Sequence, residues 1–139
     1  MNLEFTAAVP EIPVTYIAKA AAYYEKHMGF HLDWGGQNSS DDGGIAGISQ
    51  GNCRMFLTNA SFRAGYGNAA PVLIWLNVSS KKEVDELHEV WTRAGARIVS
   101  PPEDKPWNLR EFTASDLDGN LFRVFYDFSW EIGARQSGS

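Results

Sequence analysis

Apolar and polar residues alternate in short runs along this chain, and twice the alternation gives way to helical spacing that ends at a glycine. The first round predicts a strand over Glu4 to Val14, a helix over about Ile17 to Met28, then Gly29 and further strands. The second predicts a strand over Pro71 to Val78, a helix over about Lys81 to Ala94, then Gly95 and further strands. Both helices carry aromatic residues, Tyr23-Tyr24 in one and Trp91 in the other. A pattern that repeats at half the chain's length marks a duplicated supersecondary unit. The reading is therefore α+β, with tandem βαβββ modules. Module one spans about 4–60, a connector about 60–70, module two about 71–128 and a tail 129–139.

Local chemistry supports the element ends. Thr15 is placed to cap the first helix, and the Ala20-Ala21-Ala22 run favours helix. Gly29 supplies the left-handed residue that closes many helices. The second helix opens on Ser80-Lys-Lys-Glu83, a capping box in which the hydroxyl takes the amide of Glu83 and the carboxylate reaches back. Val84, Leu87, Val90 and Trp91 share one face of that helix, the one expected to be buried. Phe30 to Trp34, Ile45 to Gln50, Asn52 to Thr58, Arg110 to Ser115 and Asn120 to Phe128 read as strands. The polar, glycine-rich stretch 35–44 reads as a solvated, mobile hairpin loop, and Asp118-Gly119 as a tight turn. Pro101-Pro102-Glu103 is expected to begin a loop that ends near Trp107.

Strand alternation sorts the side chains by face. Val72, Ile74, Leu76 and Val78 form a uniformly aliphatic set that should pack under the helices, against Leu73, Trp75 and Asn77. Phe122, Val124 and Tyr126 oppose Leu121, Arg123 and Phe125 in the same way, and Met55 and Leu57 oppose Arg54, Phe56 and Thr58. Each half thus has one irregular, partly polar face. Two curved mixed sheets of this kind would enclose a cup lined by Phe56, Leu73, Trp75, Leu121, Arg123 and Phe125. A second hydrophobic core is the plainer alternative, but Arg54, Asn77 and Arg123 weigh against it, because unpartnered buried charge costs several kcal/mol.

Composition narrows the partners. The formal charge is −5 and no basic run occurs, so nucleic acid is excluded as a partner. The single Cys53 cannot form an internal disulfide, no leader-like segment precedes the first strand, and no apolar run reaches the roughly 20 residues of a membrane span. A cytoplasmic protein with no membrane partner is expected.

The segments Lys19-Ala-Ala-Ala-Tyr-Tyr-Glu-Lys-His-Met-Gly-Phe30 and Ser115-Asp-Leu-Asp-Gly-Asn-Leu-Phe-Arg-Val-Phe125 together resemble the vicinal oxygen chelate superfamily. That group includes glyoxalases, extradiol dioxygenases, fosfomycin-resistance transferases and bleomycin-resistance proteins. The resemblance runs from about Phe5 to Phe128. Metal-using members place His or Glu ligands on the first and last strand of each half. Carried over on the helices and their closing glycines, those places fall at Val9, Phe56, Leu73 and Arg123. None is a metal donor, and Arg123 would repel a cation. The three histidines, His27, His31 and His88, have no ligand spacing among them. A site rebuilt from Glu11, His31 or Glu111 has no support in the pattern. The resemblance therefore implies a member with no metal and no cofactor, closest to the bleomycin-resistance branch.

In that branch a dimeric protein sequesters a large, flat-ended, cationic antibiotic without modifying it, and Lys105-Pro-Trp-Asn-Leu-Arg-Glu-Phe112 is similar to a run in its binding-type members. The expected ligand-binding residues are Trp34, Arg54, Phe56, Trp75, Trp107, Arg110, Glu111, Arg123 and Phe125, with no catalytic residue assigned. Aromatic walls stack flat ligands and attract cations. Trp91 reads as core, and Trp130 as sealing an edge or a dimer contact. The expected partners are a small aromatic natural product and a second copy of the chain, the connector 60–70 deciding whether halves pair within or between chains. The alternatives are a lyase, transferase or dioxygenase acting on a small oxygenated substrate, and a metal-free enzyme with Glu111 or Glu11 as general base beside Arg123.

Overall fold

The computed structural model describes residues 3–36, 43–64 and 70–132. The chain divides into two compact units, Met1–Pro71 and Val72–Ser139. Among the described residues each holds one four-stranded mixed sheet and one helix of eleven residues or more, and the second adds a short helical turn at 129–132, so the architecture is α+β as the pattern predicts.

In the first unit the elements are β1 (Glu11–Pro13), α1 (Ile17–His27), β2 (His31–Trp34), β3 (Ile45–Gln50) and β4 (Cys53–Thr58), with strand order β1-β4-β3-β2. β1 lies parallel to β4, with Glu11 opposite Phe56, while β2–β3 and β3–β4 are antiparallel. The first strand is much shorter than expected. Residues 3–10 make no ladder beyond the bond from Phe56 N to Pro10 O, and Leu3 and Phe5 are exposed. α1 packs on β2, β3 and β4 through Ile17, Ala20, Ala21 and Tyr24, which meet Ile12, Ala46, Ile48, Met55 and Leu57 in a closed core. The helix begins one residue later than a Thr15 cap implies. The N-cap is Tyr16, whose side chain makes no capping bond.

The second unit contains β5 (Leu73–Asn77), α2 (Lys81–Arg93), β6 (Arg97–Asp104), β7 (Leu109–Ser115) and β8 (Leu121–Asp127), in the order β5-β8-β7-β6. Here Ser80 does cap the helix, its Oγ accepting from Glu83 N at 3.1 Å. The Glu83 carboxylate reaches one residue further back than expected, accepting from Ser79 N. Val84 and Trp91 are buried on Phe112, Phe122 and Val124, whereas Val90 is exposed. Both helices end at a glycine with positive φ, 68° at Gly29 and 86° at Gly95. The chain then turns back, so that Phe30 N donates to Tyr24 O and Ala96 N to Trp91 O.

Pro101-Pro102 does not start a loop; both prolines lie inside β6. Two facts permit this. β6 is an edge strand, and its register shifts between Ile98 and Ser100 and again between Ser100 and Glu103, so the missing amides are not needed for a ladder. The turn that follows runs Lys105 to Asn108, with Asn108 in the left-handed region at φ 65°. Most of the loop at 35–44 and part of the connector at 60–70 lie outside the described residues.

Candidate functional site

Strand register fixes which side chains share a face. On β5 and β8, Trp75 stands opposite Arg123, Leu73 opposite Leu121 and Asn77 opposite Phe125. β7 extends these rows with Thr113 beside Arg123 and Glu111 beside Phe125. This is the face of the second sheet that α2 does not cover; the other carries Phe112, Ala114, Phe122 and Val124, all buried. The uncovered face is aromatic and open. Trp75 is 41% exposed and Trp107 56%. Trp75 meets Phe125 edge-on, with ring centroids 5.4 Å apart, and the Arg123 guanidinium lies 5.0 Å from the Trp75 centroid. Trp107, at the β6–β7 turn, donates from Nε1 to Glu111 Oε2 at 3.3 Å.

Arg123, Glu111 and Glu103 are charged groups on this face, and they are satisfied to different degrees. Glu111 is only 4% exposed and has its indole donor. Arg123 makes no ion pair among the described residues, and its buried Nε has no hydrogen-bond partner. A buried donor left without an acceptor costs about 1–3 kcal/mol, so the arrangement is incomplete as it stands.

The uncovered face of the first sheet is smaller. Trp34, Gly47, Phe56 and Glu11 form one row across β2, β3, β4 and β1. The Trp34 and Phe56 ring centroids are 5.4 Å apart, and Arg54 lies 5.8 Å from the Phe56 ring. Gly47 makes room for this. A Cβ there would fall 2.5 Å from the Trp34 indole, which lies flat over the glycine. Sequence reasoning did not single out Gly47, because its role depends on a register that the chain alone does not reveal. Opposite Arg54, Ser49 Oγ donates to Asp33 at 3.0 Å.

Arg110 does not join Glu111. Consecutive strand residues point to opposite faces, and Arg110 projects towards α2. Its guanidinium pairs with Asp85 at 2.8 Å and with Asp104 at 3.0 Å. Lys81 completes the cluster at 2.9 Å from Asp104 and lies 3.8 Å from the Phe128 ring. Burial works against the Arg110 charge, but the two carboxylates outweigh it and raise its proton affinity above the ordinary value. The shallow groove beside it, about 420 Å³, is lined by Asp85, His88, Glu89, Thr92, Arg93 and Pro102. Arg93 there pairs with Glu89, so its charges are largely matched internally.

Val14 N donates to Thr58 O, and Val78 N to Phe125 O, so the first strands of the two units align through Val14 and Val78. On that alignment Val9 matches Leu73, and Phe56 beside Glu11 matches Arg123 beside Trp75. Val9, Phe56, Leu73 and Arg123 offer no donor to a divalent ion, and Glu11 and Trp75 beside them add one carboxylate and no imidazole. Cys53 is half-buried, and burial pushes its thiol up, away from the thiolate that a nucleophile needs.

The comparisons agree with this architecture. The family model described as Glyoxalase/Bleomycin resistance protein/Dioxygenase superfamily matches residues 6–124, and the chain belongs to that family. Among solved structures it is similar to TioX from Micromonospora sp. ML1, at 26% identity and TM-score 0.70, over 87% of this chain and 98% of that one. It is also similar to the bleomycin-binding protein from bleomycin-producing Streptomyces verticillus complexed with copper(II)-bleomycin, at 23% identity and TM-score 0.66, over 88% and 97% of the two chains. A superfamily member from Sphaerobacter thermophilus DSM 20745 overlaps at 24% identity and TM-score 0.69, over 89% and 99%. The last two likenesses concern the fold alone. No curated protein matches the chain in sequence. No helix among the described residues is long and apolar enough to cross a membrane.

Proposed function

We propose that this protein binds and sequesters a flat aromatic small molecule without transforming it, as a cytoplasmic homodimer. The observation that carries the reading is the uncovered face of the second sheet. Trp75, Phe125 and Trp107 stand on or beside ordered strands with large ring surfaces open to solvent, although the opposite face of the same sheet is a closed core. Exposed apolar patches of this kind mark binding surfaces, and planar rings bind planar partners by stacking. Trp34 and Phe56 offer a second, smaller aromatic surface in the first unit. The likeness to the Streptomyces verticillus protein solved with copper(II)-bleomycin is compatible with this reading. A role in antibiotic resistance would follow if the ligand were such a natural product. Arg123 bears on its charge: a cation with no ion pair among the described residues stands on this face, which weighs against a cationic ligand at that point.

The test is titration of tryptophan fluorescence with bleomycin and with simple planar aromatics. Trp75→Ala should weaken binding of any planar ligand by about 1–3 kcal/mol, the scale of aromatic stacking on bases. A Trp75→Ala protein that keeps its fold and binds as tightly as the parent returns Trp75 to a packing role and removes the main support.

A further inference from the structure

Arg123 occupies the centre of the open face, flanked in its own row by Trp75 on β5 and Thr113 on β7. Neither neighbour is an acid. The acids of the next row are already engaged: Glu111 accepts from Trp107 Nε1 at 3.3 Å, and Glu103, opposite it on β6, pairs with Lys105 at 3.2 Å. The guanidinium carbon lies 5.0 Å from the Trp75 ring centroid, and the Nε–H is buried with no acceptor, so a ligand meets the half-buried group through its terminal N–H groups. A planar, permanently charged group without an ion-pair partner among the described residues suits a carboxylate better than any neutral acceptor, because guanidinium and carboxylate geometries match and charge-assisted bonds are the stronger ones.

We propose that Arg123 is the anion-recognising group of this face, and that the ligand is a planar aromatic acid whose carboxylate pairs with the terminal N–H groups of the Arg123 guanidinium while its ring rests among Trp75, Phe125 and Trp107. The inference rests on the binding function proposed above and adds the charge of the ligand. The same residue that leaves no room for a divalent ion supplies a fixed positive charge where an anionic oxygen can sit.

Two probes of equal shape decide it. 2-Naphthoate carries the carboxylate, and 2-naphthamide replaces it with a neutral group of the same outline. The parent should bind naphthoate at least tenfold more tightly than naphthamide, by fluorescence quenching and calorimetry, with the gap narrowing as salt is added. Arg123→Met should abolish the preference. Arg123→Lys, which keeps the charge but lacks the planar guanidinium fork, should reduce it to threefold or less, and it serves alone if the methionine variant fails to fold. Equal binding of both probes by the parent, or a preference that survives in Arg123→Lys, overturns the inference. If both probes bind equally and Trp75→Ala weakens both, the sequestration reading stands without it. If neither probe binds while another planar molecule quenches, the outcome is the same. If no planar molecule binds at all, both fall.

Discussion

Gly47 decides where an indole can lie. With Trp34 flat above it and a Cβ position 2.5 Å from the ring, alanine there cannot be accommodated without moving the indole or the strand. Gly47→Ala should cost about 1–3 kcal/mol in urea denaturation, the range for forcing a methyl into a filled space, and should shift the Trp34 contribution to fluorescence. A variant as stable as the parent would mean that the indole is free to leave. Asp116 is a second position where one residue holds several others. Buried at the β7–β8 turn, it accepts from Asp118 N at 2.8 Å, Asn120 N at 2.9 Å and Asn120 Nδ2 at 2.8 Å, and Asn120 Oδ1 in turn takes Val72 N at 2.9 Å. The Ser115–Phe125 segment that suggested the family is, in its first half, a structural clasp between the hairpin and the entry to β5. Asp116→Ala should cost roughly 3 kcal/mol, because it orphans buried donors. Arg110 and Glu111 show what residue-level reading can and cannot reach. Strand alternation alone forbids both from facing one ligand, whereas the aspartates that claim Arg110, at 85 and 104, are identified only by the packing of α2.

At the level of elements, α2 is tied to β6 and β7 by the chain of charges Lys81, Asp104, Arg110 and Asp85. The hydrogen bond from Lys81 is the largest effect on the Asp104 carboxyl, and together with the hydrogen bond and charge of Arg110 it outweighs burial, the next-largest, and holds the carboxyl below its usual proton affinity. A depressed carboxylate contributes stability that is fully present above its unfolded value, near about 3.9, and is lost as pH falls through the lower folded value. The melting temperatures of the parent and Asp104→Asn should therefore differ by a constant amount above about pH 5 and converge below about pH 4. The gap should be small, under about 1 kcal/mol, since the pair is well solvated. A gap that widens on acidification would contradict the assignment. The helices and most strands were legible because their periodicity reflects burial on one side, which the fold respects. β1 and β6 were not. Residues 4–9 have strand composition but join no ladder among the described residues, and prolines at 101 and 102 read as breakers because sequence does not reveal that their strand is an edge with two register shifts.

For the molecule as a whole, ligand and partner compete as explanations of the same exposed surface. The candidate face was legible in the sequence as an alternation of Trp75, Arg123 and Phe125 against aliphatic neighbours, but which residues stand side by side needed the parallel β5–β8 register. Because Val9, Phe56, Leu73 and Arg123 offer no metal donor, chelator treatment should leave the melting temperature unchanged; a fall of several degrees restored by zinc or manganese would show a site built from other residues. Assembly is the sharper question. Each sheet is covered by a helix on one side only, and Leu73, Trp75 and Trp107 are exposed on the open side of the second unit. If that face serves a ligand, dimerisation must use other surfaces and be indifferent to Trp75. Light scattering at micromolar concentration should then give the mass of two chains for the parent and for Trp75→Ala alike. A parent with the mass of one chain defeats the dimer. A parent dimer that Trp75→Ala dissociates would assign the aromatic face to a second copy of the chain, and the open rings would be an interface rather than a pocket wall.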